Sequence, residues 1–330
     1  MLKPEVPALV LAPMDGVTDA PMRTLQGASH AFTFAVSEFV RVSAEPIPRK
    51  VFLRDVPELS HGGRTSTGLP VQVQILGGHA GRMAESALVA CNAGAQAIDI
   101  NFGCPAPTVN RHDGGAALLA YPCRIREIVA AVRAAVPAHI PVSAKLRLGW
   151  DNVDAIHKNA AMAAEGGASW LTIHARTKCQ GYAPPVYWGE IGRVRRALQI
   201  PIIANGDIWT YEDFLRCRDE TGCHHFMIGR GALANPTLPG RIATELGIGL
   251  HSHVDADWTR LFRYLVDLMP YHPAKSLTRL KQWMKIAYAF GDFPYFHELK
   301  ARATLEEFFE VLEGLQSGRD NRRLHLAHNV

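Results

Sequence analysis

Eight short apolar runs, rich in Val, Ile and Leu, recur over the first two-thirds of the chain with helix-like stretches between them. The runs cover residues 8–14, 32–39, 71–77, 97–102, 142–148, 170–174, 201–205 and 225–229. Several are nearly continuous in apolar residues, as strands buried on both faces of a parallel sheet must be. The segments 81–93, 123–136, 153–165, 188–198 and 211–221 are Ala-rich, with apolar residues three and four apart, which predicts helices. A strand–helix unit repeated eight times predicts an α/β architecture, a (β/α)8 TIM barrel. A doubly wound sheet is the alternative, but it would normally carry a GxGxxG turn after its first strand, and the sequence has none.

Beyond about Asn235 the strand-like runs stop. Residues 255–269, 274–290 and 296–315 read as amphipathic helices broken at Pro270, Pro273 and Pro294. The expected division is a catalytic barrel over residues 1–240 and a helical domain over residues 241–330. The formal net charge of +4 permits a polyanionic partner without demanding one. No uncharged apolar run of membrane-spanning length occurs, and the N-terminal segment has no long apolar stretch with a cleavage site, so neither a span nor a signal peptide is expected. The six cysteines are scattered without CxxC spacing, which predicts a reduced, cytoplasmic protein with no structural metal.

In such barrels the chemistry sits at the C-terminal ends of the strands. Gln72 and Gln74 are polar groups inside an apolar run; they suit either barrel-core hydrogen bonds or a planar heterocycle. Asp99 and Asn101 alternate and share one face, and Cys104 follows between Gly103 and Pro105. A lone cysteine is ordinarily a small buried hydrophobe, yet this one stands at the barrel mouth beside inward polar groups. Lys145 and Arg147 alternate in the fifth run, where two cations on one face need an anion or a ligand unless they snorkel. His174 ends the sixth run, followed by Arg176. Asn205-Gly206-Asp207 and Gly229-Arg230-Gly231 close the seventh and eighth, where glycines let backbone N–H groups approach a phosphate and Arg230 neutralises it. Together these residues predict a pocket for a phosphate-bearing cofactor, with a cysteine acid or nucleophile at its rim.

The segments APMDGVTDAPMR, SEFVRV, DINFGCP, KLRLGWD, HARTKCQGY, ANGDIW and MIGRGAL run in this order through the barrel. They resemble the tRNA-dihydrouridine synthases. SEFVRV, the HDGGAALL stretch and Lys281-Gln282-Trp283 are similar to the bacterial DusC branch, which acts on the uridine at position 16 of the D-loop. The resemblance implies FMN in the barrel, NADPH as reductant, and tRNA bound with the help of the C-terminal helices. It implies FMN contacts from Pro13, Met14, Asp15, Gln72, Lys145, His174, Asn205, Gly206, Asp207, Gly229 and Arg230, with Cys104 as the catalytic acid. It places Glu38, Asn101, Tyr182, Arg279, Lys281 and Lys300 at the tRNA. Asp15 and Asp207 stand where many relatives have Glu, and Lys300 where Arg is common; a lysine lacks the bidentate fork of arginine.

The implied reaction adds a hydride to C6 of a uracil and a proton to C5. The base must first be turned out of its stack. A thiol with an ordinary pKa of roughly 8.5 stays protonated near neutral pH and suits the proton donor. Asn101 and Arg176 are expected to hold the uracil carbonyls. Lys275, Arg279, Lys281 and Lys285, with no acid among residues 274–285, form either a phosphate-binding strip or a solvated helix face. A flavin barrel acting on a free pyrimidine, like the dihydroorotate dehydrogenases, is the alternative enzyme, but it would not need the helical extension. A catalytically silent RNA-binding barrel would not need Cys104, Lys145 and His174 together. A monomer is expected.

Overall fold

The structure, a computed structural model, describes residues 1–248, 257–269 and 273–327. Its strands are β1 Ala8–Leu11, β2 Phe34–Val36, β3 Val40–Arg41, β4 Val71–Leu76, β5 Ile98–Phe102, β6 Val142–Arg147, β7 Leu171–His174, β8 Ile202–Asn205 and β9 His225–Ile228. Every pairing among these strands is parallel, β3 to β9 each join the next in sequence, β1 joins β2, and β1–β9 and β2–β4 pairings close the ring. The eightfold (β/α) barrel expected from the apolar runs is therefore present, with β3 a short continuation of β2 along β4.

The second apolar run is not one strand. Val36 pairs with Gln72 and Val40 with Ile75, so four steps on one strand face three on its neighbour. This is a bulge, which bends the strand and re-aims a side chain. Ser37 sits in it, and its hydroxyl accepts from the Gln74 backbone N–H at 3.0 Å, so the broken ladder stays satisfied. The next residue, Glu38, is turned toward the loop after β1 and accepts from Val17 N–H at 2.9 Å.

Alternation along the strands divides the core. Leu9, Leu11, Ile98, Ile100 and Leu146 face the helices, whereas Val10, Phe34, Val36, Trp170, Ile203 and Met227 fill part of the barrel interior. Gln72, Gln74, Asp99 and Ser143 are also interior and almost wholly buried. The predicted helices at 81–93, 123–136, 153–165, 188–198 and 211–221 are present as Ala80–Asn92, Pro122–Ala135, Ala155–Glu165, Trp188–Ala197 and Tyr211–Thr221. Helix Leu238–Glu245 packs on Tyr211–Thr221 and on β1.

The C-terminal part is helical. Trp258–Leu268 starts at Asp257, whose carboxylate caps Arg260 N–H at 3.1 Å; residues 255 and 256 of the expected helix, and the expected break at Pro270, lie outside the described residues. Pro273–Phe290 begins on its proline, tolerated where no helical N–H is needed. The expected helix at 296–315 is two, Phe296–Leu299 and Leu305–Ala327. Thr304 separates them and caps the second, accepting from Glu307 N–H at 3.2 Å. Phe262, Trp283, Phe293 and Phe308 are buried and meet around Phe262, edge-on with Trp283 and tilted with Phe293 and Phe308, in an aromatic core continuous with the one beneath the barrel helices. That core is fastened to the barrel by Trp283, whose indole N–H donates to the Leu233 carbonyl at 2.9 Å. Among the described residues no helix is long and apolar enough to cross a membrane.

Candidate active site

A cavity of about 570 Å³ opens at the C-terminal ends of the strands, within the size range of cofactor sites. Pro13, Met14, Asp15, Asn101, Cys104, Lys145, His174, Tyr182, Asn205, Gly206, Asp207, Gly229 and Arg230 all line it, as do Gln74, Arg147, Trp209 and Ile286. Residues from six barrel loops and one C-terminal helix thus meet in one space.

Three cationic side chains face this cavity with incomplete compensation. Lys145 on β6 donates to Asn205 Oδ1 at 3.0 Å, and burial, aided by Arg147, pushes its pKa down to about 8. Arg147 donates to the carbonyls of Gly103 and Gly181, at 2.9 and 2.7 Å. Arg230 has Asp207 at 3.7 Å and is boxed by the rings of Tyr182, Trp209 and Phe290 at 4.4, 4.7 and 5.0 Å. Burial first, then Arg147 and Lys145, holds His174 well below the ordinary histidine pKa, so it is neutral at pH 7. Its Nδ1 is buried with no hydrogen-bond partner. A buried polar atom without a partner calls for an explanation, and a cofactor in the adjoining cavity would give one.

The residues fit an anionic, flat cofactor such as FMN. The neutral imidazole and Lys145 stand ready for polar ring atoms, and Arg230 for a phosphate. Gly206 has φ +118°, and a Cβ there would lie 3.2 Å from the Ala175 backbone nitrogen. Asp207 follows in the left-handed region, φ +50°. Its carboxylate forms a half-buried, two-pronged pair with Arg176, and the residue lines the cavity.

Cys104 is half-buried on the loop after β5. Burial raises its thiol pKa, as does the nearby Asp15 charge, while the Ala106 backbone, Arg147 and Arg41 oppose the rise. The loop is pinned by Asn101, whose Oδ1 accepts from both Gly103 and Cys104 N–H at 2.9 Å. From the other side Ala116 N–H donates to the Cys104 carbonyl at 3.1 Å. That approach needs Gly115, with φ +61°, where a Cβ would lie 2.9 Å from the same carbonyl oxygen.

Six expected site residues stand elsewhere. Gln72 lies deeper, donating to Ile98 O and Ser143 Oγ at 3.0 and 2.9 Å, and Gln74 takes the place at the cavity. Arg176, expected at a uracil carbonyl, is fully buried against Asp207 and the Ala183 carbonyl; Arg147, like Arg230, reaches the cavity instead. Glu38 and Arg279, expected at tRNA, both grip the loop after β1: Glu38 through Val17 N–H, and Arg279 through the Gly16 and Val17 carbonyls and Asp19. Arg279 is only 7 % exposed. Lys281 is half-buried and Lys300 exposed, both outside the cavity lining. Trp209 and Ile286 were not singled out as site residues; Trp209 closes the ANGDIW segment, whereas nothing in the spacing of Ile286 signals a site.

Fold and site together define a barrel oxidoreductase built around an anionic, planar redox cofactor. A dihydrouridine synthase family model matches residues 10–325. The chain is 45% identical over 316 residues to the tRNA-dihydrouridine(16) synthase of Shewanella oneidensis, covering 93% of this chain and 98% of that one. It is also 45% identical over 281 residues to the protein of the same name from Pseudomonas putida, covering 84% and 86%. Among solved structures, histamine dehydrogenase from Rhizobium sp. 4-9 is similar in fold, with a TM-score of 0.53 at 10% identity over 79% of this chain and 49% of that one. The chain belongs to the dihydrouridine synthase family and is, like that family, a flavin-dependent oxidoreductase.

Proposed function

We propose that the protein reduces the uridine at position 16 of tRNA to 5,6-dihydrouridine, with FMN as cofactor and NADPH as electron source. The observation that carries this reading is the meeting of a protonated thiol, Cys104, with Lys145, His174 and Arg230 on one cavity. Pro13, Met14, Asp15, Lys145, His174, Asn205, Gly206, Asp207, Gly229 and Arg230 would hold the cofactor. Bound and reduced, FMN supplies a hydride for C6 of the uracil. Cys104 supplies the proton at C5, and the rise in its pKa keeps that proton in place at neutral pH. Asn101 and Arg147 face the cavity as donors for the uracil carbonyls, the second in the role expected of Arg176. Tyr182, 58% exposed at the rim, offers a ring for a base turned out of its stack.

The C-terminal helices would carry tRNA, with exposed Lys275, Lys285 and Lys300 and half-exposed Lys281 as phosphate contacts. Glu38 and Arg279 would serve the substrate through the loop they hold. All six cysteines are free, which supports a cytoplasmic setting, and the protein would act as a monomer. The 45% identity to tRNA-dihydrouridine(16) synthases does not favour a free pyrimidine as substrate.

The test is direct. Purified protein should show a flavin spectrum bleached by NADPH, and mass spectrometry of treated tRNA should find dihydrouridine at position 16 and nowhere else. Dihydrouridine at another position overturns the address; product from free uridine but not tRNA overturns the substrate; a protein that never takes up FMN overturns the reading as a whole.

A further inference from the structure

Asp99 is the one buried carboxylate of the barrel interior that the proposed chemistry does not use. It is 2% exposed, and no arginine or lysine lies within ion-pair distance among the described residues. Its Oδ1 accepts from Ser143 Oγ at 2.5 Å and its Oδ2 from Gln74 Nε2 at 2.7 Å. Gln74 Oε1 then accepts from Asn101 Nδ2 at 2.8 Å. Asn101 Oδ1, in turn, accepts the backbone N–H groups of Gly103 and Cys104.

The two ends of this chain demand opposite polarity. An ionised carboxylate only accepts, and backbone N–H groups only donate. Each carboxamide between them has one orientation that satisfies both neighbours, and each adopts it. Turning either amide over would set donor against donor at the cysteine loop or acceptor against acceptor at Asp99, inside a region where unmade hydrogen bonds are costly. One N–H of Asn101 is spent on Gln74; the second has no protein acceptor among the described residues, and Asn101 lines the cavity.

We propose that Asp99, acting through Gln74, is a positioning residue for the reaction: it sets the orientation of the Asn101 amide, which holds the Cys104 backbone and leaves one N–H to meet a substrate carbonyl. The proposal rests on the reading of Cys104 as proton donor for its kinetic arm only. The loop geometry is tested apart from turnover.

Three variants separate the relay from plain packing. Asp99→Leu keeps the γ-branched shape at a somewhat larger volume and removes the acceptor, so the near-isosteric Asp99→Asn is its packing control. It should lower kcat for tRNA at least tenfold with KM within about twofold, and should change the rate–pH profile of Cys104 alkylation by iodoacetamide in FMN-loaded protein. Asp99→Asn can still present an oxygen to Gln74 and should recover at least fivefold over Asp99→Leu. Gln74→Glu bridges Asp99 and Asn101 only when protonated, so its kcat should begin to fall at a lower pH than that of wild type, which falls only as the Cys104 thiol loses its proton. The charged groups acting on that position are Asp99 on β5 and Lys145 on β6, with Arg147 and the Cys104 thiol further along; Ser37 and Ser143, on the flanking strands, are neutral. An Asp99→Leu protein with wild-type kcat and alkylation profile overturns the proposal. If that variant does not fold, a Gln74→Glu protein with the wild-type pH profile of both kcat and alkylation overturns it instead. Wild-type protein that makes no dihydrouridine would sink the proposed function while leaving the alkylation comparison intact.

Discussion

Cys104, Lys145 and His174 share one cavity, and burial drives each toward its uncharged form. For the thiol this is the form a proton donor needs. Cys104→Ala should lower dihydrouridine formation by a factor of about 10²–10⁴, the usual worth of a placed acid, with the flavin spectrum unchanged. For Lys145 the consequence runs the other way. Its pKa of about 8 means the ammonium is present below that pH and lost above it, so affinity for the anionic cofactor should fall as pH rises through about 8. Fluorescence titration of FMN across that window checks this, and Lys145→Met should flatten the curve. Without cofactor the sign reverses for stability. The unfolded chain, with the ordinary lysine pKa of 10.5, binds more protons between the two values, so the lysine contribution to stability rises with pH across that interval. His174 adds no charge at neutral pH, and its Nδ1 is buried without a protein hydrogen-bond partner.

The loop after β1 shows how elements share the work. It carries Pro13, Met14 and Asp15 to the cavity and is held from two sides. The bulge between β2 and β3 brings Glu38 to Val17 N–H, and helix Pro273–Phe290 brings Arg279 to Gly16, Val17 and Asp19. An arginine with this many charge-assisted bonds in a buried place contributes about 2 kcal/mol. Arg279→Ala should therefore lower the Tm and the hydrogen-exchange protection of residues 14–19, beyond any effect on tRNA. Lys300→Ala should do neither: its side chain is exposed, and if it serves the proposed phosphate contact its loss should weaken tRNA binding and reduce the log–log salt slope by about 1. The basic residues of helix 273–290 looked equivalent in sequence because helical spacing reports which residues share a face. Which face meets the barrel was set by Leu277, Leu280, Trp283 and Met284, and Arg279 went inward with them.

At the scale of the molecule, the C-terminal helices complete the barrel rather than trail from it. Ile286 lines the cavity, and Phe290 stacks on Trp209 at 4.4 Å, beside Arg230. Trp283 is the bolt, fully buried in the aromatic core and bonded to Leu233. Trp283→Ala should cost about 4 kcal/mol by chemical denaturation, a typical cost for emptying an aromatic site. It should also raise the Kd for FMN, because the support of Arg230 moves with the helix. Loss of stability with an unchanged Kd would show that the helices and the cofactor end of the cavity are uncoupled.

Local patterning was enough to determine the barrel. Runs of Val and Ile with Ala-rich segments between them read as buried strands and covering helices, and eight in succession with no GxGxxG turn favour a closed ring over a doubly wound sheet. The strand ends were likewise legible, so Cys104, Lys145, His174 and Arg230 could be named from position alone. Depth, facing and partners were decided only by the tertiary structure. Gln72 and Gln74 share a face by alternation, yet closure of the barrel puts one beneath the cavity and the other on its wall. Arg147 and Arg176 differ in sequence by nothing that marks one for the cavity; the choice came from Asp207, which is near Arg176 only after β7 and β8 have paired. Periodicity is a property of neighbours along the chain. Charge pairing and cavity depth depend on groups far apart in sequence, and these meet only once the ring has closed.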